Sequence, residues 1–159
     1  RFKGNADPDT VSPLEKVYLV TVAGYFEENS EAIRLLQEPL HYHNLGGEHG
    51  KWTDPAIVET VQHETLPECH PLREKRITFI TKIRLRISEG RNRQIRRLCF
   101  KSKMKLLALH RLRFGPIDIE CVKEGRCVYL TKETVFNLYS RVLPQDPFPN
   151  HIFQEHGLA

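Results

Sequence analysis

The chain has 159 residues, of which 40% are hydrophobic and 28% charged, enough for one domain with a core of its own. No apolar run approaches the roughly 18–20 residues of a membrane span, and Arg1-Phe2-Lys3-Gly4-Asn5 does not open a signal peptide, so the expectation is a non-secreted protein without a membrane partner. The net charge is only +4, yet Arg73 to Arg113 holds fifteen Lys or Arg against Glu74 and Glu89, a local +13 that leaves −9 elsewhere and marks a polyanion-binding face.

Residues 1–13 are polar and broken by Pro8 and Pro13, which predicts a tail or linker; Asp7 and Asp9 stand too close to the first strand to be taken as nucleophiles. Val17 to Ala23 is rich in β-branched residues and reads as a strand. Tyr18 shares a side with Val20 and Val22, so pattern alone makes it a core tyrosine, and Lys16 points the same way from the strand entrance. Asn29 or Ser30 caps a short helix through Ala32, Ile33, Leu35 and Leu36, stopped by Pro39. Leu40 to Thr53 then reads as a long loop. Its His41, His43 and His49, with Cys69 and His70, fit no standard zinc spacing, and contact with nucleic acid through Tyr42 or Trp52 is the better reading. Ala56 to His63 reads as a strand with mixed faces, followed by a turn-rich connection from Leu66 to Pro71.

From Ile77 to Ile87, Thr81, Ile83, Leu85 and Ile87 alternate with Lys82, Arg84 and Arg86, the period of a half-buried strand with one basic face. Gly90 ends it, and Asn92 is placed to cap a helix. At 3.6 residues per turn, that helix puts Ile95, Leu98 and Cys99 on one side and Arg93, Arg96, Arg97 and Phe100 on the other. Lys101, Lys103 and Lys105 follow in a turn suited to phosphate contact. Leu106 to Phe114 is a further strand turned by Gly115-Pro116; Ile117 to Val122 and Cys127 to Leu130 form a hairpin around Lys123 to Arg126. Thr131 caps a last helix with Val135, Leu138, Tyr139 and Val142 on one face, and residues 143–159 form a Pro-rich tail. Cys69, Cys99, Cys121 and Cys127 form no Cys-x-x-Cys pair, which predicts free thiols in a reducing compartment, the cytoplasm or an organellar matrix. The alternation of elements over residues 14–142 gives an α+β domain with a mostly antiparallel sheet.

Glu89-Gly90-Arg91-Asn92-Arg93-Gln94-Ile95-Arg96-Arg97-Leu98-Cys99, with Arg111-Leu112-Arg113-Phe114-Gly115-Pro116-Ile117 downstream, resembles the third motif of the RsuA-like pseudouridine synthases. Lys16-Val17-Tyr18-Leu19-Val20, Pro55-Ala56-Ile57-Val58 and Gly125-Arg126 with Leu130-Thr131 extend the resemblance in the family's order and spacing. It implies the pseudouridine synthase catalytic-domain fold, a mixed, mostly antiparallel bifurcated sheet with short flanking helices and a cleft across its middle. Residues 14–142 would be its C-terminal part, because the family's catalytic aspartate lies in a Gly-Arg-Leu-Asp motif upstream of the Lys-x-Tyr strand and this chain begins downstream of it. An N-terminally incomplete domain would leave the Lys16 strand at an unprotected sheet edge.

In function, the resemblance implies isomerisation of uridine to pseudouridine in ribosomal RNA without a cofactor or metal. Tyr18 then lies against the base and Arg96 beside the aspartate, while Lys16, Arg91, Arg93, Gln94, Arg97, Lys101, Lys103, Lys105, Arg111 and Arg113 hold RNA. The implied partners are ribosomal RNA, ribosomal or assembly proteins, and a chain supplying the aspartate motif. The alternative is a catalytically inactive relative that serves as a ribosome assembly factor or structural RNA-binding component; a generic nucleic-acid-binding module is the third reading.

Overall fold

The computed structural model describes residues 14–42, 50–119 and 122–142. In chain order its elements are β1 (Lys16–Ala23), α1 (Glu31–Gln37), β2 (His41–Tyr42), β3 (Lys51–Trp52), β4 (Ile57–Thr65), α2 (Pro71–Glu74), β5 (Phe79–Ile87), α3 (Gln94–Lys101), β6 (Lys105–Phe114), β7 (Ile117–Asp118) and α4 (Lys132–Val142). The expected tail with Asp7 and Asp9, together with His43, His49, Cys121 and the Pro-rich stretch from 143, lies outside the described residues.

The β-branched run of β1 occupies the middle of a five-stranded sheet ordered β4-β5-β1-β6-β7, with every pairing antiparallel. The edge position expected for this strand is therefore corrected: β5 and β6 protect both its sides, and the described edges are β4 and β7. Register places Val20 opposite Ile83 and Tyr18 opposite Leu85, so the alternating apolar residues of β1 and β5 share one face. Ile33 and Leu36 of α1 and Ile95, Leu98 and Cys99 of α3 close over that face to form the core. Ser30 caps α1 as expected, its hydroxyl oxygen accepting from the Ile33 amide at 3.4 Å. Burial also pushes the Cys99 thiol up to about 11.

Register shifts in the sheet change which residues face the core. In β4 the register slips between Val58 and Thr60, so Val58 and Val61, an odd number of residues apart, both pack inward while Glu59 turns outward. Glu59 then meets Arg84 at 2.9 Å and Arg86 at 3.1 Å, Glu64 pairs with Lys82, and Glu15 pairs with Arg86. The basic face of β5, expected to be an uncompensated cationic surface, is thus largely neutralised by acids distant in sequence. Two further shifts lie between β1 and β6, and the one at Val17/Tyr18 sets Arg111 opposite Tyr18 but Arg113 opposite Val17, on opposite faces of the sheet.

Other local expectations shift. Residues 40–53 are not wholly loop, since β2 and β3 pair His41 with Trp52 and Tyr42 with Lys51. His70 caps α2, its Nδ1 accepting from the Leu72 amide at 3.1 Å, so that nitrogen is engaged locally. Beyond β7 the turn at Lys123 to Arg126 forms, with Gly125 at φ 73° and an Arg126 N–H to Lys123 carbonyl bond of 3.0 Å, but residues 127–130 make no strand. Thr131 caps α4 through its hydroxyl, which accepts from the Thr134 amide at 3.2 Å.

Helix α3 ends in a Schellman arrangement, with the Met104 amide bonding to the Cys99 carbonyl at 2.8 Å and the Lys103 amide to the Phe100 carbonyl at 3.0 Å. Lys103 takes the left-handed position at φ 56°, which glycine occupies without a Cβ penalty. Lys103→Gly is therefore expected to stabilise the fold by about 1 kcal/mol, seen as a raised thermal midpoint; a lowered midpoint would show that the lysine stem contributes packing that outweighs the strain.

Candidate active site

Where the Lys16 end of β1, the Phe114 end of β6 and the start of α3 converge, a cleft of about 390 Å³ opens on the core side of the sheet. Ile87, Ile95 and Leu109 give it an apolar floor, and Lys16, Tyr18, Arg91, Arg93, Gln94, Arg96, Arg111 and Phe114 make its walls and rim. Seven of the residues singled out from sequence thus meet in one place.

Tyr18 stands at the centre, its ring packed on the core and its hydroxyl accepting from Arg111 Nε at 3.1 Å. The guanidinium carbon of Arg111 lies 5.2 Å from the Tyr18 ring centroid and 6.0 Å from that of Phe114. Because the phenol oxygen takes its bond from a permanent cation, its own proton is left to donate toward a ligand. Lys16 donates from Nζ to the Leu14 carbonyl at 2.8 Å and sits 5.5 Å over the Phe114 ring. Burial, reinforced by Arg111 and opposed by Glu89, holds its ammonium below the usual lysine range.

The α3 end of the cleft is built by an unusual helix start. Asn92 does not cap it: the position preceding the helix is Arg93, at φ 55° and ψ 28°, without a side-chain cap bond. Instead the Gln94 side-chain Oε1 reaches back to accept from the Arg91 amide at 3.1 Å, and Tyr42 donates its hydroxyl to the Asn92 backbone carbonyl at 3.2 Å. A left-handed non-glycine residue persists where surrounding contacts fix the backbone, and these two bonds do so beside the cleft. Gln94 is 3% exposed, and its Nε2 has no partner among the described residues.

The rim arginines differ in charge state of their surroundings. Arg91 is tied to Glu89 at 3.0 Å, and Glu89 in turn accepts from the Asp54 amide at 2.8 Å. Arg93 and Arg96 are exposed and carry no ion pair among the described residues, so their charge is available to an anionic ligand. No carboxylate lines the cleft among the described residues.

Five of the expected RNA-contact residues lie elsewhere. Arg97 stacks on Tyr42, its guanidinium carbon 4.5 Å from the ring centroid, which makes Tyr42 a support for α3 in addition to any contact of its own. Burial raises the Tyr42 phenol, with Arg97 acting against the shift. Lys101 pairs with Glu38 at 3.0 Å, Lys103 and Lys105 flank a separate depression beside Phe100, and Arg113 lies on the opposite face of the sheet from Arg111. Sequence reasoning missed Phe114 and Leu109 as cleft residues. Phe114 stood inside the quoted Arg-x-Arg-Phe-Gly-Pro motif, but its side depends on the register shift at Val17/Tyr18.

A comparison with known family profiles finds no match. An uncharacterized RNA pseudouridine synthase of Helicobacter pylori is 26% identical over 130 residues, 80% of this chain and 46% of that protein. Another, of Borreliella burgdorferi, is 34% identical over 59 residues, 37% of this chain and 24% of that protein. A solved pseudouridylate synthase structure superposes with a TM-score of 0.53 at 28% identity, covering 79% of this chain and 45% of that one. The chain therefore spans about half or less of the length of the relatives it matches. Motif order, sequence relatives and fold agree in likening this chain to the pseudouridine synthases.

Proposed function

We propose that the chain is the RNA-binding part of an RsuA-like pseudouridine synthase that isomerises uridine to pseudouridine in ribosomal RNA, with Tyr18 and Arg96 as its catalytic residues. The observation that carries this reading is the pairing, in one apolar-floored cleft, of a Tyr18 ring anchored by Arg111 with an Arg96 that has no ion-pair partner of its own. An unstacked uracil lies against the tyrosine ring, while the phenol stays within reach of the sugar. Arg93 and Lys16 contribute positive charge for the flanking phosphates, offsetting the unstacking cost of a few kcal/mol.

The reaction breaks the bond from sugar carbon to base nitrogen, turns the detached base, rejoins it through its carbon 5 and releases the proton that carbon carried. No electron is gained or lost, so no cofactor is required. A carboxylate must attack the sugar or take its proton, and Arg96 is placed to keep such a group ionised and to orient it with a fixed guanidinium fork. That carboxylate would come from a segment upstream in the complete protein or from a partner chain. Ribosomal RNA, with ribosomal or assembly proteins around it, is the proposed setting, in a reducing compartment that suits the free Cys69, Cys99 and Cys127. No helix among the described residues is long and apolar enough to cross a membrane.

A second reading is a non-catalytic ribosomal RNA-binding component, since the exposed Arg93 and Arg96 at the cleft suit RNA binding without chemistry. Chemical mapping of pseudouridine in ribosomal RNA separates the two. Deleting the gene should remove at least one modified site if the protein is a synthase; an unchanged map with impaired subunit assembly would support the binding role instead.

The electrostatics make a narrower prediction. RNA affinity should fall steeply with salt, and Arg93→Ala should reduce the slope of log affinity against log salt by about one unit. Arg84→Ala should leave the slope unchanged, because Arg84 already pairs with Glu59 at 2.9 Å. Equal slope changes for both variants would show that the paired face of β5 binds RNA after all.

A further inference from the structure

One aromatic ring on α3 has no place in the cleft. Phe100 is 86% exposed, on a helix whose other large apolar residues, Ile95 and Leu98, are buried. Single exposed apolar side chains are common and need no explanation. Phe100, however, borders a depression of about 530 Å³ whose remaining lining is Lys101, Lys103, Met104 and Lys105. Met104 is buried and forms part of the core, Lys101 is held by Glu38, and Lys103 and Lys105 have no ion pair among the described residues. The left-handed backbone at Lys103 fixes the turn that brings this lysine beside the ring. A nearly naked aromatic face framed by cations is repulsive to a basic protein surface and complementary to a polyanion that carries flat rings.

Continuity with the cleft narrows the occupant. Arg96 and Phe100 lie on one side of α3, and Phe100 is about 6 Å along the helix axis from the cleft-lining Arg96, four residues on at 1.5 Å each. We propose that Phe100, with Lys103 and Lys105, is a stacking platform for an unpaired RNA base flanking the nucleotide held in the cleft. Lys103 and Lys105 hold the adjoining phosphates, and the ring takes the base face whatever its identity. The consequence is a requirement for at least one unstacked nucleotide beside the target, which selects loops and single strands over continuous duplex. This inference rests on RNA being the ligand of the cleft.

The test uses the 159-residue chain and a short, unstructured, uridine-rich RNA with 2-aminopurine at successive positions. Binding should quench the 2-aminopurine strongly at one position away from the cleft nucleotide. Phe100→Ala should abolish that quench and weaken binding about tenfold, with the thermal midpoint and the salt slope unchanged. Phe100→Trp should restore both, and Lys103→Ala should lower the salt slope by about one unit while keeping the quench. Binding by Phe100→Ala within twofold of the unsubstituted chain, with the quench intact, would overturn the platform. So would a Phe100→Ala variant whose only change is a shift from dimer to monomer in light scattering, since the ring would then cover a second copy. Failure of the synthase reading looks different: RNA bound with a Phe100-dependent quench, but no pseudouridine formed by the complete protein. A chain that does not bind RNA at all sinks both.

Discussion

Replacing Arg96 by alanine is expected to lower pseudouridine formation by the complete protein at least about a hundredfold, with RNA affinity falling no more than about tenfold. The asymmetry follows from where Arg96 sits. Its backbone belongs to a helix anchored by the buried Ile95, Leu98 and Cys99, so the substitution should leave the cleft wall in place. The side chain itself is exposed and has no ion pair among the described residues, so folding does not depend on its charge. In the proposed mechanism what is lost is the cation that would act on a carboxylate and on the charge developing during bond breakage, a contribution commonly of that size. Arg96→Lys should recover part of the rate, because charge returns without the planar fork. Equal activity for the alanine variant and the unsubstituted protein would remove Arg96 from the mechanism.

The second large effect is expected at Tyr18, where ring and hydroxyl can be separated. Tyr18→Leu removes the aromatic face and should weaken RNA binding about tenfold. Tyr18→Phe keeps that face and should bind RNA within about threefold of the unsubstituted chain. It loses the bond at 3.1 Å from Arg111, leaving the guanidinium unanchored above the ring. Isomerisation by the complete protein should therefore drop about tenfold in Tyr18→Phe while affinity holds. Equal binding losses in the two variants would show that the base does not stack on this residue.

Much of this site was legible because it depends on local periodicity. The alternation in β5 and the helical spacing of Ile95, Leu98 and Cys99 fixed which sides face the core, and both appear in the structure as expected. Sequence could not show the sheet order, since pairing β1 with both β5 and β6 brings together segments far apart in the chain. It was equally silent on Glu15, Glu59 and Glu64, whose carboxylates neutralise a strand that read as a bare cationic surface. Register shifts defeated simple parity: the one in β4 brings Val58 and Val61 to the same face, and the one at Val17/Tyr18 separates Arg111 from Arg113. Asn92 illustrates a different limit. Its side chain suits a cap, but the Gln94 side chain satisfies the Arg91 amide and the helix starts after a left-handed Arg93.

The likeness to pseudouridine synthases rests on motif order, relatives and fold, and catalysis at this cleft is the proposal to test first. Its most direct test is release of the carbon-5 tritium from labelled uridine in ribosomal RNA, measured for the complete protein beside its Arg96→Ala variant at RNA concentrations that saturate both. Steady release by the unsubstituted protein and a bound but nearly silent variant are expected. Undiminished release by Arg96→Ala, or binding without release by the unsubstituted protein, would contradict catalysis at this cleft.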